Sequence, residues 1–255
     1  MSKIKKRIQG CRSFVDTTYY CKKHDHCHCH CRYENRPTYT EIQIPVPVPD
    51  GITNLPQFIY FEVDNRFTAA QRQRIRNAIS GVLIVWFIHH DQKWNGGANN
   101  GVSELAACAN SYAINNLQPV WYQGPPISNG QVATNVAMDQ FTQLIRDNGF
   151  RISLPAKIDY CIPIPLTSST IRGETAFTQT GVTLSFVINP TQLDRIDVND
   201  LTLTGSIIHA WLHRAGFQHP KTPSYFIAEV PMCVMRGLQP KQSSVPDSAF
   251  IQFFD

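Results

Sequence analysis

"HAWLHRAGFQH", residues 209–219, is the stretch on which the reading of the chain turns. His209 and His213 stand four apart, so on a helix both imidazoles project from one face, about a turn from each other, and can reach one ion. Two such histidines alone are often satisfied core residues. Here a third, His219, follows Gly216, and a residue that tolerates positive φ lets the helix stop and the chain double back toward the same point. Three imidazoles leave the fourth position of a tetrahedral Zn²⁺ open to water, which is the arrangement of a catalytic rather than a structural zinc.

Working outward, "DVNDLTLTGSIIHAWLHRAG" supplies Asp, Asn and Thr as capping candidates ahead of an apolar helix that ends at Gly216. Just before it, "GVTLSFVINP" alternates Val182, Leu184, Phe186 and Ile188 with Thr183, Ser185 and Val187, the pattern of a strand with one buried face. A weaker strand candidate spans Ile158–Ile164. "QFIYFEV" (Gln57–Val63) has the aromatic and β-branched content of a buried strand, and a long helix follows it, with Ala70, Ile75, Ala78, Ile79, Val82 and Trp86 on one side. The interleaved Arg72, Arg74 and Arg76 fit the solvated face of that helix better than a basic patch. His89 and His90 fall just past it and read as loop residues. Further helices are expected from near Ser103 and over Val132–Asp147, the latter stopped by Asn148-Gly149. A short last helix packs Phe250, Ile251 and Phe254, with Ser244 as its cap.

With 255 residues, 42% of them hydrophobic and 16% charged, the chain is long enough for a sizeable core. Its basic character is local. Residues 1–36 carry nine Lys/Arg against three Asp/Glu, net +6, which leaves −2 for the remainder. A basic tail without a basic body behind it is no case for nucleic-acid binding, and none is expected. No apolar run approaches a membrane span, and no secretory signal is visible; the expected location is cytoplasmic as synthesised, or outside by a leaderless or dedicated route. Past Pro37, "IPVPVPDG" favours an extended connector. The expected division is therefore a Cys/His-rich basic segment over 1–40 and a main domain over 41–255.

"HAWLHRAGFQHP" resembles the zinc signature of the metzincin metallopeptidases, H-E-x-x-H-x-x-G-x-x-H, at every fixed position but one, where Ala210 replaces the glutamate. The resemblance implies an α+β fold: a twisted mixed sheet, a backing helix, a central zinc helix, and a small C-terminal subdomain carrying a methionine turn beneath the metal. Met235 in "CVMRG", sixteen residues after His219, is the best candidate for that turn, and Met232 a weaker one. The family's cleft is edged by a strand just before the zinc helix, here placed at Val182, Leu184 and Phe186, along which an extended peptide or protein substrate would lie. The stretch from His89 to Tyr160 matches nothing in the family.

In such peptidases the glutamate takes a proton from the zinc-bound water and passes it to the leaving amine. Ala210 can do neither. The expected state is zinc-loaded and idle, with zinc held by His209, His213 and His219. Loss of the acid alone, with three ligands, Gly216 and a fitting methionine kept, favours a Glu→Ala substitution in an active zinc endopeptidase. The alternative is a natural pseudopeptidase acting as a zinc-stabilised peptide- or protein-binding module. In the N-terminal segment, "CKKHDHCHCHC" crowds Cys21, Cys27, Cys29 and Cys31 among histidines. Three readings stay open for it: an inhibitory prosegment whose thiolate enters the fourth zinc position, a separate zinc or copper site, or disordered low complexity. Cys108, Cys161 and Cys233 are scattered and read as the few thiols of the body.

Overall fold

The computed structural model describes residues 37–95, 101–163 and 171–255. The N-terminal cysteines Cys21, Cys27, Cys29 and Cys31 lie outside the described residues. Among those residues the fold is a mixed α/β arrangement, compatible with the α+β class. Its strands are β1 (Tyr39–Pro45), β2 (Phe58–Asp64), β3 (Ala156–Tyr160), β4 (Ile171–Arg172) and β5 (Phe186–Ile188). They form one sheet in the order β1-β2-β3-β5-β4, with β2, β3 and β5 parallel and both outer strands antiparallel to their neighbours.

β2 forms as its alternation dictates: Ile59, Phe61 and Val63 are fully buried, while Tyr60 and Glu62 are half-buried. β1 was not expected. It begins at Tyr39, within the stretch assigned to the N-terminal segment, and buries Ile42 and Ile44 against β2, so the sheet starts before the anticipated boundary. The extended connector begins only after Pro45.

The helices are α1 (Ala69–Trp94), α2 (Glu104–Tyr112), α3 (Gly130–Gly149), α4 (Pro190–Leu193), α5 (Asp200–Arg214), α6 (Phe226–Met235) and α7 (Ser248–Ile251). No helix among the described residues is long and apolar enough to cross a membrane. α1 opens with a capping box, in which Thr68 Oγ1 accepts from the Gln71 amide and Gln71 Oε1 from the Thr68 amide. Ala70 is exposed, and Gln71 is the buried residue of that turn, donating to Asp194. Arg74 also departs from the solvated-face reading, because its guanidinium donates to the carbonyls of Leu193 and Val198 and ties α1 to the loop that feeds α5. α1 runs past His89 and His90, which are buried in it rather than in a loop; His89 Nδ1 bonds Ser103 Oγ, the N-cap of α2. α7 is capped at Asp247, three residues later than the expected Ser244.

α5 is held through its tryptophan. Trp211 is fully buried, with its ring 6.5 Å from Phe61 of β2 and 5.6 Å from Phe141 of α3. Burying one such side chain contributes about 2–3 kcal/mol, and the contact fixes which face of α5 is turned away from the sheet.

The three scattered cysteines are not free thiols. Cys108 of α2 and Cys233 of α6 form a buried disulfide across 125 residues, and Cys161 is also disulfide-bonded. Removing the first bridge by Cys108→Ala with Cys233→Ala is expected to lower the unfolding free energy by about 2–4 kcal/mol, read in urea without reductant; an unshifted midpoint would contradict it.

Burial, then the charges of His90 and Lys93, pushes the His89 pKa down to about 3. Between its ordinary value and that one, the unfolded chain takes up a proton that the folded chain refuses, so stability falls as pH drops through this window. The loss reaches on the order of 3 kcal/mol by pH 4. His89→Gln should flatten the fall between pH 7 and pH 4; equal falls in the two proteins would remove His89 as its cause.

Candidate metal centre

With Trp211 turned into the sheet, His209 and His213 come together on another face of α5, their ring centroids 4.9 Å apart. The helix then ends as the sequence requires. Gly216 has φ of +92°, its amide donates to His213 O, and that of Phe217 donates to Leu212 O. The turn delivers His219, whose ring lies 4.8 Å from that of His213 and 5.7 Å from that of His209. The expected convergence of three imidazoles is therefore present.

Backbone carbonyls set the ring orientations. His209 Nδ1 lies 2.9 Å from Ile227 O on α6, and His213 Nδ1 lies 3.1 Å from Phe217 O and 3.0 Å from Thr175 Oγ1. A carbonyl only accepts, so each Nδ1 carries the proton and each Nε2 presents a lone pair. Both Nε2 atoms are buried without a hydrogen-bond partner. Desolvation keeps the His209 pKa below its ordinary value despite a nearby carboxylate, and holds that of His219 at about 4, with His213 and His209 adding to the effect. Burial thus favours the neutral form of His209 and His219, the form a metal ligand takes.

That carboxylate belongs to Asp255, whose Oδ1 lies 2.9 Å from His209 Nε2 and 3.7 Å from His213 Nε2, and is itself buried without a hydrogen bond. The contact at 2.9 Å is not a hydrogen bond when neither atom carries a proton. A cation between them satisfies both. One ligand atom from each of His209, His213, His219 and Asp255 lies within 4.8 Å of the others, and this group can hold a metal ion.

The wall beside the centre comes from the residues after β4. Gly173 packs on Ala210 so closely that a Cβ there would sit 2.5 Å from Ala210 O. Thr175 follows at His213, and Arg214 donates to Glu174 O and Thr183 O, clamping this loop to α5. Ala210 is fully buried beneath it.

Two family-derived placements change. β5 lies between β3 and β4, so Phe186 and the segment of Val182 and Leu184 leading into it do not edge the sheet; the outer strand is β4, whose two residues have no periodicity to announce them. Val182, Leu184 and Phe186 are buried core. Met235 closes the last turn of α6 rather than forming a turn under the imidazoles, and its side chain packs over Gly205, one turn before His209. The apolar run Phe226–Met235 stays helical through Pro231, with Met232 also inside it. The ring lying on His209 is that of Phe254, 4.6 Å away and nearly parallel to it. Asp255, Phe254, Thr175 and Gly173 were not found from sequence, since none stands at a motif spacing from the histidines.

No protein-family model matches the chain, and no curated protein or solved structure matches it either.

A Cβ at Gly216 would also meet Trp121, at 2.4 Å from Nε1. Gly216→Ala is expected to cost more than the roughly 1–2 kcal/mol of the left-handed backbone alone and to weaken metal uptake by moving His219. Urea unfolding and a metal titration read the two effects; wild-type behaviour in both would show that the turn does not position the ligand.

Proposed function

We propose that the chain is a zinc protein on a metzincin-like peptidase frame, with zinc held by His209, His213 and His219, and that it does not hydrolyse peptides as it stands. The observation that carries this reading is the pair of buried, unpartnered Nε2 lone pairs on a helix whose intervening residue is Ala210. A donor set of three imidazoles beside one carboxylate suits zinc among the common divalent ions. Zinc in such a frame supplies Lewis-acid polarisation of a scissile carbonyl and of the attacking water.

The protein's residues supply the remainder. Ile227 O and Phe217 O fix the tautomers of His209 and His213, and Thr175 Oγ1 adds a contact at His213 Nδ1. β4 closes one side of the sheet above α5 and is the strand against which an extended peptide would align. A groove of about 420 Å³ lined by Ile114, Asn116, Leu117, Val120, Ile127 and Gln218 adjoins the centre, where Asn116 Nδ2 donates to His219 O. With Asn116, Gln118 and Gln218 among its walls, it offers a mixed polar and apolar lining for one substrate residue. No group at position 210 can accept or deliver a proton.

The pseudopeptidase reading is favoured by one feature, the Asp255 carboxylate at His209 Nε2 and His213 Nε2, where an open zinc would keep its exchangeable position. In that case the same groove binds a peptide or protein without cutting it. The buried Cys108–Cys233 disulfide supports work in an oxidising compartment under either reading.

Ala210→Glu separates the two. The expected outcome is zinc uptake equal to the parent's and hydrolysis of unstructured peptides raised by about 10²–10⁴-fold, the range a general acid–base group provides. Retained zinc and peptide binding with no cleavage, both in Ala210→Glu and in the same variant carrying Asp255→Asn, would replace the peptidase reading with the binding module; a parent chain that takes up no metal would end both.

A further inference from the structure

Residues 253–255 bring to the histidines a carboxylate that the H-x-x-x-H-x-x-G-x-x-H motif does not contain. They are held in place by contacts independent of any metal. Phe254 is fully buried with its ring on that of His209, and its carbonyl accepts from Lys221 Nζ at 2.6 Å. Phe253 is buried, with the Arg195 guanidinium 5.7 Å from its ring centroid. At the root of the segment, Lys241 Nζ bridges the fully buried Glu229 of α6 and Asp247, at 2.8 and 2.7 Å. These anchors leave the Asp255 carboxylate aimed at His209 Nε2 and His213 Nε2, with its Oδ1 buried.

We propose that Asp255 is the fourth ligand of the metal at His209, His213 and His219, and that residues 253–255 form a strap that closes the centre to water and substrate. The proposal rests on the metal reading above and specifies how that site is regulated. Three protein ligands make an open centre, whereas four make a closed one of the structural kind. The filled position and the missing base at Ala210 then have the same consequence. Hydrolysis needs a proton acceptor at 210 and also a strap that lifts, and the strap's hold is its aromatic stacking, one lysine and one metal bond.

Cobalt(II) titration of the full chain tests this through its visible spectrum, with azide as the probe for an exchangeable coordination position. The unsubstituted chain should bind one Co²⁺ in a four-coordinate spectrum that azide does not change. Asp255→Asn should weaken zinc and cobalt binding by at least about 10–100-fold, the worth of even a supporting group around a metal, and make the spectrum respond to azide. Lys221→Met frees only the Phe254 carbonyl and should give an azide response with affinity largely kept, so the idea remains testable if Asp255→Asn does not fold. Circular dichroism of the metal-free proteins checks folding. Azide sensitivity in the unsubstituted chain, with both variants matching it in affinity and spectrum, would overturn the strap and leave the metal reading standing. Failure of the unsubstituted chain to bind Co²⁺ would remove the metal itself and the strap with it.

Discussion

Two imidazole nitrogens and one carboxylate oxygen, all buried, direct lone pairs into one small space. Unpaired, that arrangement is among the more expensive a folded chain can contain, since each buried polar atom left unsatisfied costs about 1–3 kcal/mol. The surroundings do not relieve it. Ile227 O and Phe217 O have already taken the other ring nitrogen of each histidine, and desolvation discourages protonation of His209. A cation could satisfy all three, and much of the nearby structure keeps the donors facing that space.

The scaffold explains why the donors cannot turn away. α5 is wedged by Trp211 between β2 and α3, so its ligand-bearing face is set by core packing and not by the ligands themselves. α6 is fastened to α2 by the Cys108–Cys233 bridge and supplies the carbonyl that orients His209. On the opposite side, Arg214 clamps the loop that carries Gly173 and Thr175. The centre is thus fixed from several elements distant in sequence. A preorganised site of this kind keeps its shape whether or not residue 210 can do chemistry.

Legibility in the sequence followed the range of each interaction. The His209–His219 motif, the strand at β2, the long helix α1 and the cap of α2 are local patterns, and periodicity or spacing reveals them. β1 was hidden because prolines near Pro45 read as a connector, although the residues before them pair with β2. β4 is too short for any period. The depth of His89 and His90, the role of Arg74, the disulfide and Asp255 are all tertiary facts. Cys108 and Cys233 are separated by 125 residues, and nothing in either neighbourhood names the other. The floor of the site illustrates the same limit: a methionine at the expected distance became a helix end over Gly205, and the ring actually beneath His209 is Phe254, which sequence assigned only to the packing of a last helix.

Position 210 shows how local and tertiary information combine. From the motif alone, an alanine there reads as a single deletion in an otherwise complete catalytic set. In the fold, Gly173 sits against its backbone, and Asp255 stands where an open zinc would keep its exchangeable position. The alanine removes the proton acceptor, the glycine lets the loop after β4 pack on the backbone of α5, and the carboxylate stands at the fourth corner. They come from three separate parts of the chain. A substitution at 210 alters one of them and leaves the loop and the carboxylate, which belong to other parts of the fold, where they are.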